Sequence, residues 1–294
     1  MERRTFLYQS SALAAAGLLL PVLDGEAARI KKPGIQLYSL RSLMKQDCTD
    51  VLKRLGTMGY KEIESYPSEK GHFWGKTAKE FFALAKDNGL KVVSTHIPYG
   101  KPVNNAPDAI ASVSSGFEAF VESFAREGGQ YLVCPDINSS IRTTIDHYSA
   151  AADDFNKAGE VCKKYGIRFA YHNHDFEFAP LNDIVPYHHL LTRTDPTLVQ
   201  MELDLYWLEK AMQPVDFLFE RFPGRFPLVH VKDIGAGTKE TVEVGAGTIR
   251  FKEIFARSKQ AGILHYFVEQ DNFHGSDPMK SVKASLEYLK NLRF

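Results

Sequence analysis

Eight short apolar runs, each followed by an amphipathic stretch, set the tightest limit on what this chain can become. They are GIQLYSL (34–40), YKEIESY (60–66), LKVVSTH (90–96), QYLVCPD (130–136), IRFAYHNH (167–174), LVQMELD (198–204), FPLVHVKD (226–233) and LHYFVEQ (264–270), with starts 26 to 40 residues apart. Parallel neighbours in a sheet need a crossover of about a dozen residues or more, usually a helix, and eight such units close into a single α/β domain, a (β/α)8 barrel. The 294 residues admit either one barrel of ~250 residues or two domains of ~150. No linker rich in Pro, Gly or Ser interrupts residues 30–294, so one barrel is the simpler count, with a doubly wound open sheet as the alternative. Between the runs, Thr77-Ala78-Lys79-Glu80 and Ser115-Gly116-Phe117-Glu118 read as capping boxes. Gly59, Gly89, Gly129, Gly166 and Gly262 fall where helices should end.

Residues 1–28 are expected to lie outside that domain, leaving 29–294 for the barrel. Arg3-Arg4-Thr5-Phe6-Leu7, an apolar stretch from Ser11 to Leu23, and Gly25-Glu26-Ala27-Ala28 follow the order of charged region, apolar region and small-residue cleavage site. The paired arginines resemble a twin-arginine export signal, which implies a periplasmic mature protein. The apolar stretch is shorter than the ~20 residues of a membrane span, so no stable membrane anchor is expected. Thirty-six basic residues balance thirty-six acidic ones, and a chain without excess positive charge is poorly suited to a polyanion such as nucleic acid. Three cysteines, Cys48, Cys134 and Cys162, form no CxxC. A metal, if held, must therefore be held by His and carboxylates.

In a barrel the active site is built at the C-terminal ends of the strands, and here those ends are polar. They carry Gln36 and Tyr38, Glu64, His96, Asp136, the cluster His172-Asn173-His174 with Glu177 beyond it, Glu202 and Asp204, His230 with Lys232 and Asp233, and Glu269 with Gln270. Unpaired ionisable groups are costly to bury, and convergence on a cation resolves that cost. Carboxylate plus imidazole without thiolate suits one divalent ion: Mn²⁺, Mg²⁺, Co²⁺ or Zn²⁺. His147, His188 and His189 fall on helical patterns and read as surface residues, whereas His72 and His274 lie in loops over the strand ends. Trp74, with Phe73, and Trp207 either stack on a sugar face or fill the barrel rim.

YHNHDFEF (171–178), ELDLYW (202–207), HVKD (230–233), EVGAGTI (243–249), YFVEQD (266–271) and SLEYLKNL (285–292) together resemble the sugar phosphate isomerase/epimerase group of xylose-isomerase-like TIM barrels, over about residues 33–292. The resemblance implies one divalent cation held by Glu, Asp, His and Glu from successive strand ends. Asp204, His230 and Glu269 match three of those positions. The fifth strand departs from the pattern, with His172-Asn173-His174 where a Glu is expected. Glu177 is assigned as the fourth ligand, with His172 or His174 as competitors.

The His-x-His is closer to inosose dehydratases and to lyases acting on keto-sugars. Two enzymatic readings follow. One is isomerisation or epimerisation of a sugar through a metal-stabilised enediolate; the other is β-elimination or hydration of a 3-keto-glycoside or inosose-like keto-sugar. Both need a base near pH 7 to take a proton α to a carbonyl. Glu269, His172 and His174 are the candidates. Lys232 either hydrogen-bonds the polarised oxygen or pairs with Asp233 or another carboxylate. Gln36, Glu64, His96, Trp74 and Trp207 are expected to touch the substrate. A metal-dependent phosphodiesterase and a non-catalytic carbohydrate-binding protein are weaker readings, the first because it needs several metals and a basic surface. The Gly-Ala-Gly-Thr segments at 235–238 and 245–248 lack the third glycine of a dinucleotide fingerprint and read as turns.

Overall fold

The computed structural model describes residues 27–100 and 110–294; the proposed export signal lies almost wholly outside the described residues. Eight parallel strands close into a barrel in the order β1-β10-β7-β6-β5-β4-β3-β2. They are β1 (Pro33–Gln36), β2 (Glu62–Ser65), β3 (Lys91–His96), β4 (Tyr131–Cys134), β5 (Arg168–His172), β6 (Val199–Asp204), β7 (Leu228–Val231) and β10 (His265–Val268). The short strands β8 (Asp233–Ile234) and β9 (Thr241–Val242) form a hairpin in the loop after β7. The open-sheet alternative is therefore excluded, and every barrel strand overlaps an apolar run of the sequence. The first run ends sooner than its hydrophobicity suggests: after Gln36 it turns into a 3₁₀ helix, Leu37–Leu40.

Alternation along each strand separates two environments. Outward residues such as Ile35, Ile63, Leu132, Phe169, Met201, Leu203, Val229 and Val268 are buried under the helices. Inward residues form layers. Val93, Tyr131, Val133, Ala170, Leu228 and Phe267 make an apolar cluster inside the barrel. Gly34 on β1 leaves room for this layer, because a Cβ there would meet the Phe267 ring at 2.6 Å. At the N-terminal end His265 Nδ1 lies 2.7 Å from Glu62, and at the C-terminal end the inward residues become almost entirely ionisable.

The helix signals hold in part. Helix α1 (Arg41–Met58) follows the first strand, and Thr77 and Glu80 form the reciprocal box at the start of α2 (Ala78–Asp87). The second expected box does not form. Helix α3 (Phe117–Arg126) starts from Gly116, whose φ of 65° is left-handed, with no side-chain cap; Ser115 instead exchanges backbone hydrogen bonds with Ser112, and Glu118 turns to Lys164 and Tyr165. After α3 it is Gly128, at φ 98°, that takes the left-handed turn. Gly129 serves a close approach, since a Cβ there would meet the Phe124 ring at 2.2 Å. Among the described residues no helix is long and apolar enough to cross a membrane.

Candidate metal centre and cleft

Four strand ends bring their last inward side chains together. His172 from β5, Asp204 from β6, His230 from β7 and Glu269 just past β10 each offer a donor atom, and these atoms lie within 4.8 Å of one another. His230 is the hinge of the arrangement. Its Nε2 is 2.8 Å from Glu64 Oε1 and 3.1 Å from Glu202 Oε2. A carboxylate only accepts, so this nitrogen carries the hydrogen. Nδ1 then faces the other way, 2.9 Å from Glu269 Oε2 and 3.7 Å from Asp204 Oδ2, buried and without a hydrogen-bond partner of good geometry. His172 is oriented in the same manner. Its Nδ1 donates to the Pro135 carbonyl at 3.2 Å, which turns Nε2 toward Asp204 Oδ2 at 3.4 Å. Asp204 is fixed from its backbone: Asn173 Oδ1 accepts from the Asp204 N–H at 3.0 Å, and Asp204 Oδ1 caps the next helix by accepting from Trp207 N–H at 3.0 Å.

Two bare imidazole nitrogens and two carboxylates, all buried, fit a divalent cation of the Mn²⁺ to Zn²⁺ group. Histidines whose far nitrogens donate to a carboxylate or a carbonyl are the usual support for such a site. A second group, Glu64, His96, Glu202 and His230, also meets the distance criterion for a cation. Because His230 gives its N–H to Glu64, this inner group is arranged as the backing of the outer one. Gln36 completes the backing, donating to Glu64 Oε1 at 2.6 Å.

Lys232 supplies the positive charge among the carboxylates. Its Nζ lies 2.6 Å from Glu269 Oε2, 3.0 Å from Asp204 Oδ2 and 3.1 Å from Asp271 Oδ2. Burial would raise the Asp204 and Glu269 carboxyls, but the Lys232 ammonium and the adjoining imidazoles outweigh it and hold both well below the usual carboxylate range. Burial likewise opposes charge on Lys232, and Asp204 and Glu269 overcome it and raise its pKa. Of the pairings expected for Lys232, those with other carboxylates form and the one with Asp233 does not. Asp233 instead gathers the backbone N–H groups of Ile234, Gly245, Gly247 and Ile249 at 2.8 to 3.1 Å, which is what the second Gly-Ala-Gly-Thr segment is for.

Glu177, expected as a ligand, is not brought to the cluster. Strand β5 ends at His172, and the following 3₁₀ turn, Phe176–Phe178, carries Glu177 behind the strand. There its carboxylate accepts from the Tyr171 hydroxyl and from the His174 N–H, and burial pushes its pKa up to about 7. His172 takes its place in the cluster. His174 stands apart from the donors and lines the cleft beside Trp207, 5.2 Å between ring centroids. Its Nδ1 is buried without a partner, and burial, aided by the nearby Lys232 ammonium, holds its pKa well below the usual imidazole value.

The cleft above the cluster has a volume of about 460 Å³ and is lined by His96, His172, His174, Trp207, Lys232 and Glu269, with Asp271 at its edge. Of the residues expected to touch substrate, His96 and Trp207 face it. Gln36 and Glu64 are fully buried below His230, so their role is support. Trp74 lies farther out, in an adjoining chamber. Asp271 and Arg41 were not anticipated. Asp271 follows Glu269 by two residues, as an alternation argument could have noted, whereas Arg41 reaches the Asp271 carbonyl from the start of the helix after β1, a contact with no local sequence signal. His72 is neither exposed nor in the cleft: it stacks on Phe120, 4.1 Å between centroids, while His274 is exposed.

Known proteins place this geometry in context. The family model described as xylose isomerase-like TIM barrel matches residues 52–292. A sugar phosphate isomerase/epimerase from Parabacteroides distasonis is 28% identical, covers 92% of this chain and 98% of its own, and superposes with a TM-score of 0.75. The IolI protein with a bound zinc atom, at 13% identity, 90% and 99% coverage and a TM-score of 0.69, shares the fold. An inosose dehydratase from Mesomycoplasma hyopneumoniae is 25% identical over 170 residues, 51% of this chain and 56% of that protein; the chain thus spans about half the length of the curated relatives it matches. With a closed eight-stranded barrel and a buried His, Asp and Glu cluster at its C-terminal mouth, the chain belongs to the xylose isomerase-like TIM barrel family.

Proposed function

We propose that this chain is a divalent-metal-dependent sugar isomerase or epimerase that removes a proton from the carbon next to a sugar carbonyl. The observation that carries the reading is the meeting of His172, Asp204, His230 and Glu269 at the floor of a cleft sized for one small ligand. A divalent ion held there would polarise a sugar carbonyl and the neighbouring hydroxyl. The side chains supply the rest. Lys232, ringed by carboxylates, places an ammonium charge at the cluster that stabilises negative charge developing on an oxygen nearby. Glu269, at the cleft's edge of the cluster, accepts and returns a proton from one face. His174, held beside Trp207 with an unpaired ring nitrogen, offers a neutral imidazole from the other. Trp207 gives the sugar ring an apolar surface. Likeness to a sugar phosphate isomerase/epimerase of 28% identity supports the sugar class.

A second reading is elimination from a keto-sugar. It is favoured by the imidazoles at and just past the end of β5, His172 and His174, and by similarity to an inosose dehydratase. One experiment tests the shared step and separates the two. Purified protein with Mn²⁺ is incubated in D₂O with ketoses, aldoses and 3-keto-glycosides and followed by NMR. Deuterium entering the carbon α to the carbonyl with the skeleton intact supports isomerisation or epimerisation, whereas loss of a β-oxygen substituent supports elimination. No exchange with any sugar, with metal bound, overturns both.

A further inference from the structure

The cleft over the metal centre does not end at the first chamber. A second chamber of about 600 Å³ adjoins it. The two share Tyr38, Arg41, Tyr66, Pro67, Pro135 and Asp136 as lining, so they are continuous. Ligand cavities run from about 300 Å³ upward, so the inner chamber alone already suits a single small molecule, and the outer one has room for another of similar size.

The walls of the outer chamber are built for a particular kind of occupant. Tyr38, Tyr66 and Trp74 form an edge-to-face ladder, with ring centroids 5.1 Å and 5.2 Å apart and interplanar angles of 80° and 81°. Trp74 has a φ of 58°, the left-handed region, which is disfavoured for a bulky side chain and is adopted where the surrounding turn imposes it. The turn that imposes it is tied by Gly75 N–H to the Lys70 carbonyl at 2.9 Å and Lys76 N–H to the Phe73 carbonyl at 3.0 Å. Trp74 is 6% exposed, and its indole Nε1–H is buried with no partner among the described residues. Asp136 and Asn138 line the same chamber and bring polar groups to it. Aromatic faces beside short polar side chains recognise a sugar ring, whose C–H face stacks while its hydroxyls hydrogen-bond. A phosphate is served less well, because Lys45 is paired with Glu69 at 3.2 Å and Arg41 is engaged with the carbonyls of Tyr38 and Asp271.

We propose that the outer chamber is a subsite for a second sugar ring, so that the substrate is a glycoside whose reacting ring sits over the metal centre and whose neighbour lies against Tyr66 and Trp74. This rests on the sugar reading of the inner chamber. The chain has only two tryptophans, one per chamber, and each can be made the sole reporter. Trp207→Phe leaves Trp74 to report on the outer chamber, and Trp74→Phe leaves Trp207 to report on the inner one. Both variants of the full chain are titrated with glucose and fructose, with gluco-, galacto- and manno-configured disaccharides of different linkage, and with inorganic phosphate and glucose 6-phosphate. Disaccharides are expected to perturb both reporters and monosaccharides only Trp207. Trp74→Ala is expected to weaken disaccharide binding about tenfold while changing monosaccharide binding less than about twofold. If sugars move Trp207 and none moves Trp74, the second subsite is wrong and the inner reading survives. If phosphate or glucose 6-phosphate moves Trp74 and disaccharides do not, the chamber is an anion site and the proposal falls. If no sugar moves either reporter, the sugar reading falls with it.

Discussion

His230 gives its Nε2–H to Glu64 across 2.8 Å, and in doing so fixes which of its nitrogens faces the cleft. Removing the acceptor frees the tautomer and leaves a buried N–H with only the Glu202 carboxylate at 3.1 Å. Glu64→Leu is expected to lower metal affinity by about 10- to 100-fold and stability by about 1–3 kcal/mol. Glu64→Gln, which keeps an acceptor, should fall between the two. Metal titration and thermal unfolding of the same samples check this; unchanged affinity in the Leu variant would show that Glu64 does not orient His230.

The two histidines at the end of β5 should separate cleanly. His172→Gln is expected to lose bound metal, since Nε2 belongs to the donor group. His174→Gln is expected to keep about one ion per chain and to lose deuterium exchange by about 10²- to 10⁴-fold, the range of a general acid or base. Metal analysis beside NMR exchange decides, and full exchange in His174→Gln would remove that residue from the chemistry.

Lys232 compensates carboxylates that have no other buried lysine or arginine near them among the described residues. Lys232→Met in metal-free protein is expected to cost about 3–5 kcal/mol, the penalty for stranding a buried charge. Mn²⁺ should restore more stability to this variant than to the wild type, because the ion then carries the whole compensation. Melting temperatures with EDTA and with Mn²⁺ test this, and equal metal-induced shifts would count against it.

Away from the metal centre, His72 should give stability a pH dependence. Burial beneath Phe120 lowers its pKa from 6.5 to about 4. The unfolded chain therefore binds a proton between those values that the folded chain refuses, so stability falls as pH drops from about 6.5 to 4. The full loss from this group is about 3 kcal/mol. Urea unfolding at pH 7 and pH 4.5 should show His72→Gln with a shallower dependence than the wild type; parallel curves would be evidence against the assignment.

Export through the twin-arginine route is proposed from Arg3 and Arg4. Changing both to Lys is expected to retain the protein in the cytoplasm, because the guanidinium pair and not charge alone is read. Cell fractionation is the measurement, with continued periplasmic delivery pointing to another route.

Strand ends were legible in the sequence because a barrel dictates where they must converge, whereas singling out Asp204, His230 and Glu269 among the polar residues there rested on the resemblance to xylose-isomerase-like barrels. What could not be read depends on turns. Glu177 lies five residues past His172, and whether it enters the barrel or passes behind it is decided by the 3₁₀ turn at Phe176–Phe178, which competes with continued strand over the same residues. Ser115 had a partner for a capping box, but its pairing with Ser112 took the backbone elsewhere. Lys232 was adjacent to Asp233 in sequence, yet neighbours on a strand point to opposite faces, so its true partners Asp204, Glu269 and Asp271 are reached only through the folded barrel.

The apolar layer of Val93, Tyr131, Val133, Ala170, Leu228 and Phe267 lies directly beneath the ionisable groups, with Gly34 letting Phe267 close it. Among the described residues the barrel is thereby a cul-de-sac, not a corridor. On the function proposed above, ion and sugar share the C-terminal mouth, and traffic through one doorway has an order: the cation is seated before a sugar covers it, and product leaves before the ion can exchange.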